Sequence, residues 1–176
     1  NKYKSQDRFL ISNKPNIYMS MIDTAEVVSK RYKVERDQQD EYALQSQQRT
    51  AQAQNKGYFD DEIIPVKTIQ AFRNLENDKL DHKEVEIVKD ECNRPSTDIF
   101  GLQNLKPVMG EDSFITAGNA SQLSDGSSAS VLMSMKLAEK RNLNPIGICH
   151  SVAVAGCEPD EMGIGPVYAV PKLLKN

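Results

Sequence analysis

Glycine is placed unevenly: eight of the nine glycines in this 176-residue chain stand at or after Gly101, and the first hundred residues hold only Gly57. Glycine lets backbone approach backbone or ligand, so the chain divides into a polar, mostly helical first part and a tighter second part. Charge follows the same break, with 17 Lys or Arg against 18 Asp or Glu in residues 1–110 and 5 against 7 in residues 111–176.

The length suits one ordinary domain or pieces of two. A formal net charge of −3 and a pI near 5.5 argue against a general nucleic-acid binder, which needs uncancelled Lys and Arg clusters. No apolar run approaches the roughly 18 residues that would span a bilayer. The opening Asn1-Lys2-Tyr3-Lys4-Ser5 has neither an initiator methionine nor an apolar leader, which suggests a fragment. Three cysteines, Cys92, Cys149 and Cys157, make a poor disulfide framework and point to a reducing intracellular compartment, cytoplasmic before mitochondrial or peroxisomal.

Periodicity predicts the elements. Asp23 caps a first helix, with Glu26 three residues on reaching back. A second helix runs over 36–55 on a stripe of Tyr42, Ala43, Ser46, Thr50 and Ala53, with seven glutamines on its other faces and Gly57 as its stop. Residues 62–72 and 84–89 read as a hairpin, Pro65 marking an edge strand, with turns at Asn77-Asp78-Lys79 and Asp81-His82-Lys83. A short helix follows at 99–105, and Phe114-Ile115-Thr116 reads as a buried strand. Ser124 and Asp125 cap a long helix through residues 127–141, ended by residues 142–145. Residues 146–155 read as a buried strand, 156–162 as a loop, and Pro166 as the first turn of a final helix that stops at Asn176.

Several places can carry chemistry. The tract Thr116-Ala117-Gly118-Asn119-Ala120-Ser121-Gln122-Leu123-Ser124-Asp125-Gly126 suits either a strand-to-helix turn or a cradle for a thin, amide-rich ligand. Met162-Gly163-Ile164-Gly165-Pro166 is a tight turn or a weak phosphate seat, lacking the third glycine of a dinucleotide fingerprint. Arg94 is placed either to clamp a phosphate or to pair with Glu91. His82 reads as solvated and His150 as packed in an apolar strand. Adjacent strand residues face opposite ways, so Cys149 and His150 make no dyad. Asp60-Asp61-Glu62 reads as a solvated face rather than a carboxylate pair, and no spacing suggests a metal site.

In order and interval, these tracts resemble the middle of a thiolase, the acyltransferase family that makes or cleaves 3-ketoacyl-CoA. The matching runs are Asp23-Thr24-Ala25-Glu26, Arg36-Asp37-Gln38-Gln39-Asp40 with Ser46-Gln47, Gly57 through Pro65, Asp90-Glu91, Arg94, Thr116 through Gly126, and Pro159 through Pro166. The resemblance implies an α/β fold of two βαβαβαββ halves with an inserted loop domain. Residues 1–123 would be most of that loop domain, 124–144 the end of the N-terminal half and 145–176 the start of the C-terminal half. It also implies CoA thioesters as substrates, no cofactor, and an intact homodimer or homotetramer.

The family's nucleophilic cysteine would fall before Asn1, and its Asn-Glu-Ala-Phe, Gly-His-Pro and Cys-x-Gly motifs beyond Asn176. No catalytic residue is therefore expected here, and the chain alone is expected to be inactive. Binding roles carry over: Arg94 near the adenine and phosphate end of CoA, Ser121 on the pantetheine with Ala117 and Ala120 allowing close approach, and Met162 beside the acyl pocket. Ser20 departs from the histidine of short-chain members, and Gly101 from a second loop-domain serine. Those departures keep open a rival reading, a non-catalytic CoA- or acyl-binding or oligomerisation module on a degenerate thiolase scaffold. A ketosynthase fits less well, because 116–126 and 162–166 both match thiolases.

Overall fold

The computed structural model describes residues 6–75 and 78–175, so the Asn77 turn position and the expected helix end at Asn176 lie outside the described residues. Contacts divide the chain into two compact units, Arg36–Asp112 with Thr116–Gln122, and Asn1–Glu35 with Ser113–Ile115 and Leu123–Asn176.

The first of these units is organised by α3, Arg36–Asn55. Gly57 (φ +70°) ends it in a left-handed cap, with Gly57 N bonded to Gln54 O at 3.0 Å and Tyr58 N to Ala53 O at 3.1 Å, the paired bonds of a Schellman motif. Strands β1 (Val66–Arg73) and β2 (Leu80–Ile87) then form an antiparallel pair from Val66 opposite Ile87 to Arg73 opposite Leu80. Pro65 stands just before β1, where its missing N–H breaks no ladder bond. The hairpin is as expected, but β2 starts earlier: Asp81, His82 and Lys83 are strand residues, and the turn closes instead through Asn74 N to Lys79 O at 2.8 Å. Helix α4 (Ile99–Gln103) is capped by Asp98, whose Oδ1 accepts from Gly101 N at 2.7 Å.

The other unit holds α1 (Arg8–Asn13), α2 (Met21–Tyr32), α5 (Met135–Lys140) and α6 (Gly165–Leu173), with 3-10 turns at Pro15–Tyr18 and Pro159–Ile164. Ser20, not Asp23, caps α2: its Oγ accepts from Asp23 N at 3.2 Å and donates to Asp23 Oδ2 at 2.6 Å. Two residues thus satisfy the helix entrance, and Glu26 is left for another task. Its carboxylate, only 8% exposed, accepts from Phe114 N at 2.9 Å and Ile115 N at 2.8 Å.

That bond explains why Phe114-Ile115-Thr116 is not a strand. Ile115 and Thr116 are buried as expected, but Phe114 and Ile115 give their N–H groups to Glu26, and Thr116 N goes to Asn119 Oδ1 at 2.8 Å. Side chains have taken the donors a ladder would use.

The long helix expected over 127–141 shrinks to α5, capped by Ser134 Oγ rather than Ser124 or Asp125. Its end is as read: Asn142 is left-handed (φ 53°), and Leu143 N bonds Ala138 O at 3.0 Å. Residues 146–155 form no strand, because no ladder partner faces them among the described residues. Ile148, Val152 and Val154 are exposed, as is His150, which is therefore not packed. The loop expected at 156–162 tightens into the 3-10 turn begun by Pro159.

Candidate functional site

The inward face of α3 differs from the stripe expected of it. Tyr42 is 72% exposed and Ser46 is exposed, whereas Asp40 is fully buried and Arg36, Gln39, Ala43, Leu44, Gln47, Thr50, Ala51 and Gln54 are half-buried. At about 100° per residue this face lies about a quarter turn from the predicted one. It is polar, and three of its glutamines bind neighbouring backbone or loop side chains.

Gln47 holds the loop that carries Arg94. Its Oε1 accepts from Arg94 N at 2.8 Å and from Asn93 Nδ2 at 2.8 Å, while its carbonyl accepts from Asn93 Nδ2 at 2.9 Å. Gln54 Nε2 donates to Asp90 O at 3.1 Å, and Thr97 Oγ1 to Arg94 O at 2.8 Å, so the loop is tied before and after the arginine. The Arg94 side chain is exposed and makes no ion pair among the described residues. The alternative pairing with Glu91 is therefore not formed, and the guanidinium has its donors free for a ligand.

Gln39 serves the other predicted segment, its Oε1 accepting from Asn119 Nδ2 at 3.3 Å. Asn119 Oδ1 holds Thr116 N, Thr116 Oγ1 holds Gly118 N at 3.1 Å, and Ala120 N reaches Thr116 O at 3.2 Å, which closes a tight turn. Gly118 packs closely there: a Cβ would stand 2.5 Å from Leu102 Cδ2 and 2.6 Å from Leu105 Cδ1, so both leucine side chains would have to shift to admit one. With Gly118 pressed on α4, Ala117, Ala120 and Ser121 are left exposed, and the Ser121 hydroxyl donates to the neighbouring Gln122 carbonyl at 3.2 Å. The tract is thus a tight turn that leaves its small residues facing outward.

Arg36 locks the base of this arrangement. Its Nε meets Asp40 Oδ2 at 2.7 Å, and a terminal nitrogen donates to Leu102 O at 2.7 Å and Leu105 O at 3.1 Å. The guanidinium thus occupies the carbonyl end of α4, where positive charge is favoured, under the Gly118 contact. Gln39 and Gln47 lie eight residues apart, about 12 Å along the axis of α3. One helix therefore spaces the Arg94 loop and the Ser121 turn along an open surface.

Met162 belongs to the other unit, in the 3-10 turn before α6, and is 48% exposed. Beside it, Arg31 meets Asp160 Oδ2 at 2.7 Å and Glu161 Oε2 at 2.5 Å, and Tyr32 Oη donates to Glu161 Oε2 at 2.9 Å. The bonds to Asp160 and Glu161 raise the Arg31 guanidinium further, and the bond to Arg31 holds the Asp160 carboxyl below its ordinary value. The Tyr32 phenol is pushed up to about 12, first by its bond to Glu161. Among the described residues no three His, Cys, Asp or Glu side chains converge to hold a metal, and no helix is long and apolar enough to cross a membrane.

Known proteins are similar to this chain over most of its length. The family description "Thiolase, N-terminal domain" matches residues 7–136, and the chain belongs to the thiolase family. It is 44% identical over 153 residues to a human peroxisomal 3-ketoacyl-CoA thiolase, covering 87% of this chain and 35% of that protein. It is 42% identical over 166 residues to a Bacillus subtilis 3-ketoacyl-CoA thiolase, covering 94% and 42%. Among solved structures, human mitochondrial 3-ketoacyl-CoA thiolase in complex with CoA superimposes with a TM-score of 0.76 at 36% identity, covering 99% of this chain and 41% of that one. The dimeric peroxisomal thiolase of Saccharomyces cerevisiae gives 0.80 at 32% identity, covering 98% and 41%. The chain spans about a third to two fifths of the length of these relatives, and the fold they share with it is mixed α/β.

Sequence reading picked out Arg94 and the Ser121 tract but missed Gln39, Gln47 and Gln54, the groups that hold the loops there. A signal was present: spacings of eight and seven put the three on one face of a helix.

Proposed function

We propose that this chain is the CoA-binding portion and part of the scaffold of a thiolase-like acyl-CoA acyltransferase, one that condenses acyl-CoA units or cleaves 3-ketoacyl-CoA by thiolysis. Residues 1–123 are most of the loop domain of that enzyme, 124–144 the end of its N-terminal half and 145–176 the start of its C-terminal half. Arg94 meets the phosphate and adenine end of CoA, Ser121 the pantetheine amides, Ala117 and Ala120 let the thin pantetheine close in, and Met162 borders the acyl group. The intact enzyme is a homodimer or homotetramer of a reducing compartment. Its catalytic cysteines, histidine and asparagine are not among these 176 residues, so this chain binds without turning over.

One observation carries the reading: the Arg94 backbone is fixed by Gln47 while its guanidinium is exposed and, among the described residues, without an ion pair. A cation held on an immobilised loop is preorganised for a phosphate. Calorimetric titration of the chain with CoA tests this. Arg94→Ala is expected to weaken CoA binding about tenfold, the cost of one charge-assisted contact. Unchanged affinity, or cleavage of acetoacetyl-CoA by the chain at an enzyme-like rate, contradicts the assignment.

At Ser20, one of the two departures behind the rival reading of a degenerate, non-catalytic scaffold, the hydroxyl caps α2.

A further inference from the structure

We infer that Arg31 and Tyr32, on the last turn of α2, are positioning residues for Met162 and through it for acyl-chain discrimination. The specificity half of this rests on the reading of Met162 as a border of the acyl pocket; the positioning half rests on contacts alone.

Met162 lies between two fixed points. Two residues beyond it, Ile164 is buried at 8% exposure. Just before it, Glu161 is held three ways: its carboxylate by Arg31 and by Tyr32 Oη at 2.9 Å, and its carbonyl by Cys157 Sγ at 3.8 Å. The backbone leaves helical geometry at Glu161 (φ −127°, ψ 32°), so the chain bends there and Met162 departs from the bend.

Asp160 and Glu161 are consecutive carboxylates whose side chains are only 16% and 14% exposed. Without a shared counter-ion they repel across a poorly solvated gap. Arg31 bridges them with both terminal nitrogens, Nη2 donating to Asp160 Oδ2 at 2.7 Å and Nη1 to Glu161 Oε2, with a longer Nη1 bond to Asp160 Oδ1 at 3.4 Å. A rigid fork of this kind sets the spacing of two acids, which a lysine ammonium does not. Lys30 shares the last turn of α2, but it enters none of the ion pairs of the described residues. The bend before Met162 therefore depends on the guanidinium of Arg31 and on the Tyr32 hydroxyl.

The test uses the 176-residue chain carrying methyl-labelled methionine. It records the Met162 methyl resonance and titrates CoA, acetyl-CoA and octanoyl-CoA. Arg31→Lys is expected to move that resonance and to change the octanoyl-to-acetyl affinity ratio at least about threefold, a fraction of the roughly 10- to 200-fold that one methylene is worth in an apolar pocket. CoA itself should bind within about twofold of wild type, since the bonds that hold the Arg94 loop are made by Gln47, Gln54 and Thr97 and not by Arg31. Asp160→Asn with Glu161→Gln keeps Arg31 while removing both ion pairs; it should act in the same direction and replaces Arg31→Lys if that variant does not fold. A Met162 resonance and an affinity ratio unchanged in folded variants overturn the inference. If Met162→Ala leaves the ratio unchanged while Arg31→Lys still moves the resonance, the acyl-pocket reading fails and takes the specificity role with it, and the positioning role stands.

Discussion

The loop around Arg94 and the stretch 146–155 are both irregular backbone, but they are organised in opposite ways. Residues 90–97 are mostly polar and, apart from half-buried Asn93 and Thr97, exposed, yet side chains of α3 bind their backbone at Asp90 and Arg94 and the side chain of Asn93. Residues 146–155 are apolar and β-branched, yet Ile146, Ile148, Val152 and Val154 stand 66–108% exposed and no ladder orders them. Local order in this chain follows from directional bonds, not from apolar content. A glutamine on a neighbouring helix fixes a loop one bond at a time, whereas apolar side chains gain nothing until a surface covers them.

The contrast predicts a gradient of mutational effects. The largest falls at the base of the tied region: Arg36→Met leaves fully buried Asp40 without its counter-ion and should cost about 3–5 kcal/mol in urea unfolding. A cost below about 1 kcal/mol would break the claim that this pair anchors α4. Next is Gln47→Ala, which removes the acceptor for Asn93 and Arg94. About 1–3 kcal/mol is expected, with faster amide exchange at Arg94, and unaltered exchange there would mean that the loop is held by something else. The smallest falls in the untied region, where Ile148→Ser should change stability by no more than about 0.5 kcal/mol and lower the binding of a hydrophobic dye. A large loss would show that Ile148 is packed after all.

The same contrast explains what the sequence revealed. The end of helix α3 was legible because its cap is local: Gly57 closes it through bonds within the last turn. The helix's facing was misread in part: Ala43, Thr50 and Ala53 of the expected stripe are half-buried, but Tyr42 and Ser46 are exposed and the packed face takes in Arg36, Asp40 and glutamines instead. The hairpin was legible from Pro65 and β-branched alternation, though polar Asp81-His82-Lys83 hid the start of β2. The helix over 127–141 and the strand over 146–155 were read from apolar pattern, which states what a segment prefers once covered and not whether the cover is present. At the site, Arg94 and Ser121 were legible as single residues. Their support was not, because Gln39 and Gln47 bind partners 80 and 47 positions away, and only the fold brings those together.

The central claim is that α3 holds the Arg94 loop and the Ser121 turn as one CoA-binding surface. Hydrogen exchange of the chain with and without saturating CoA tests it most directly. CoA should slow exchange at residues 93–97 and at 116–121 together while leaving β1 and β2 unchanged. Protection of only one of the two segments, or of neither, contradicts the claim.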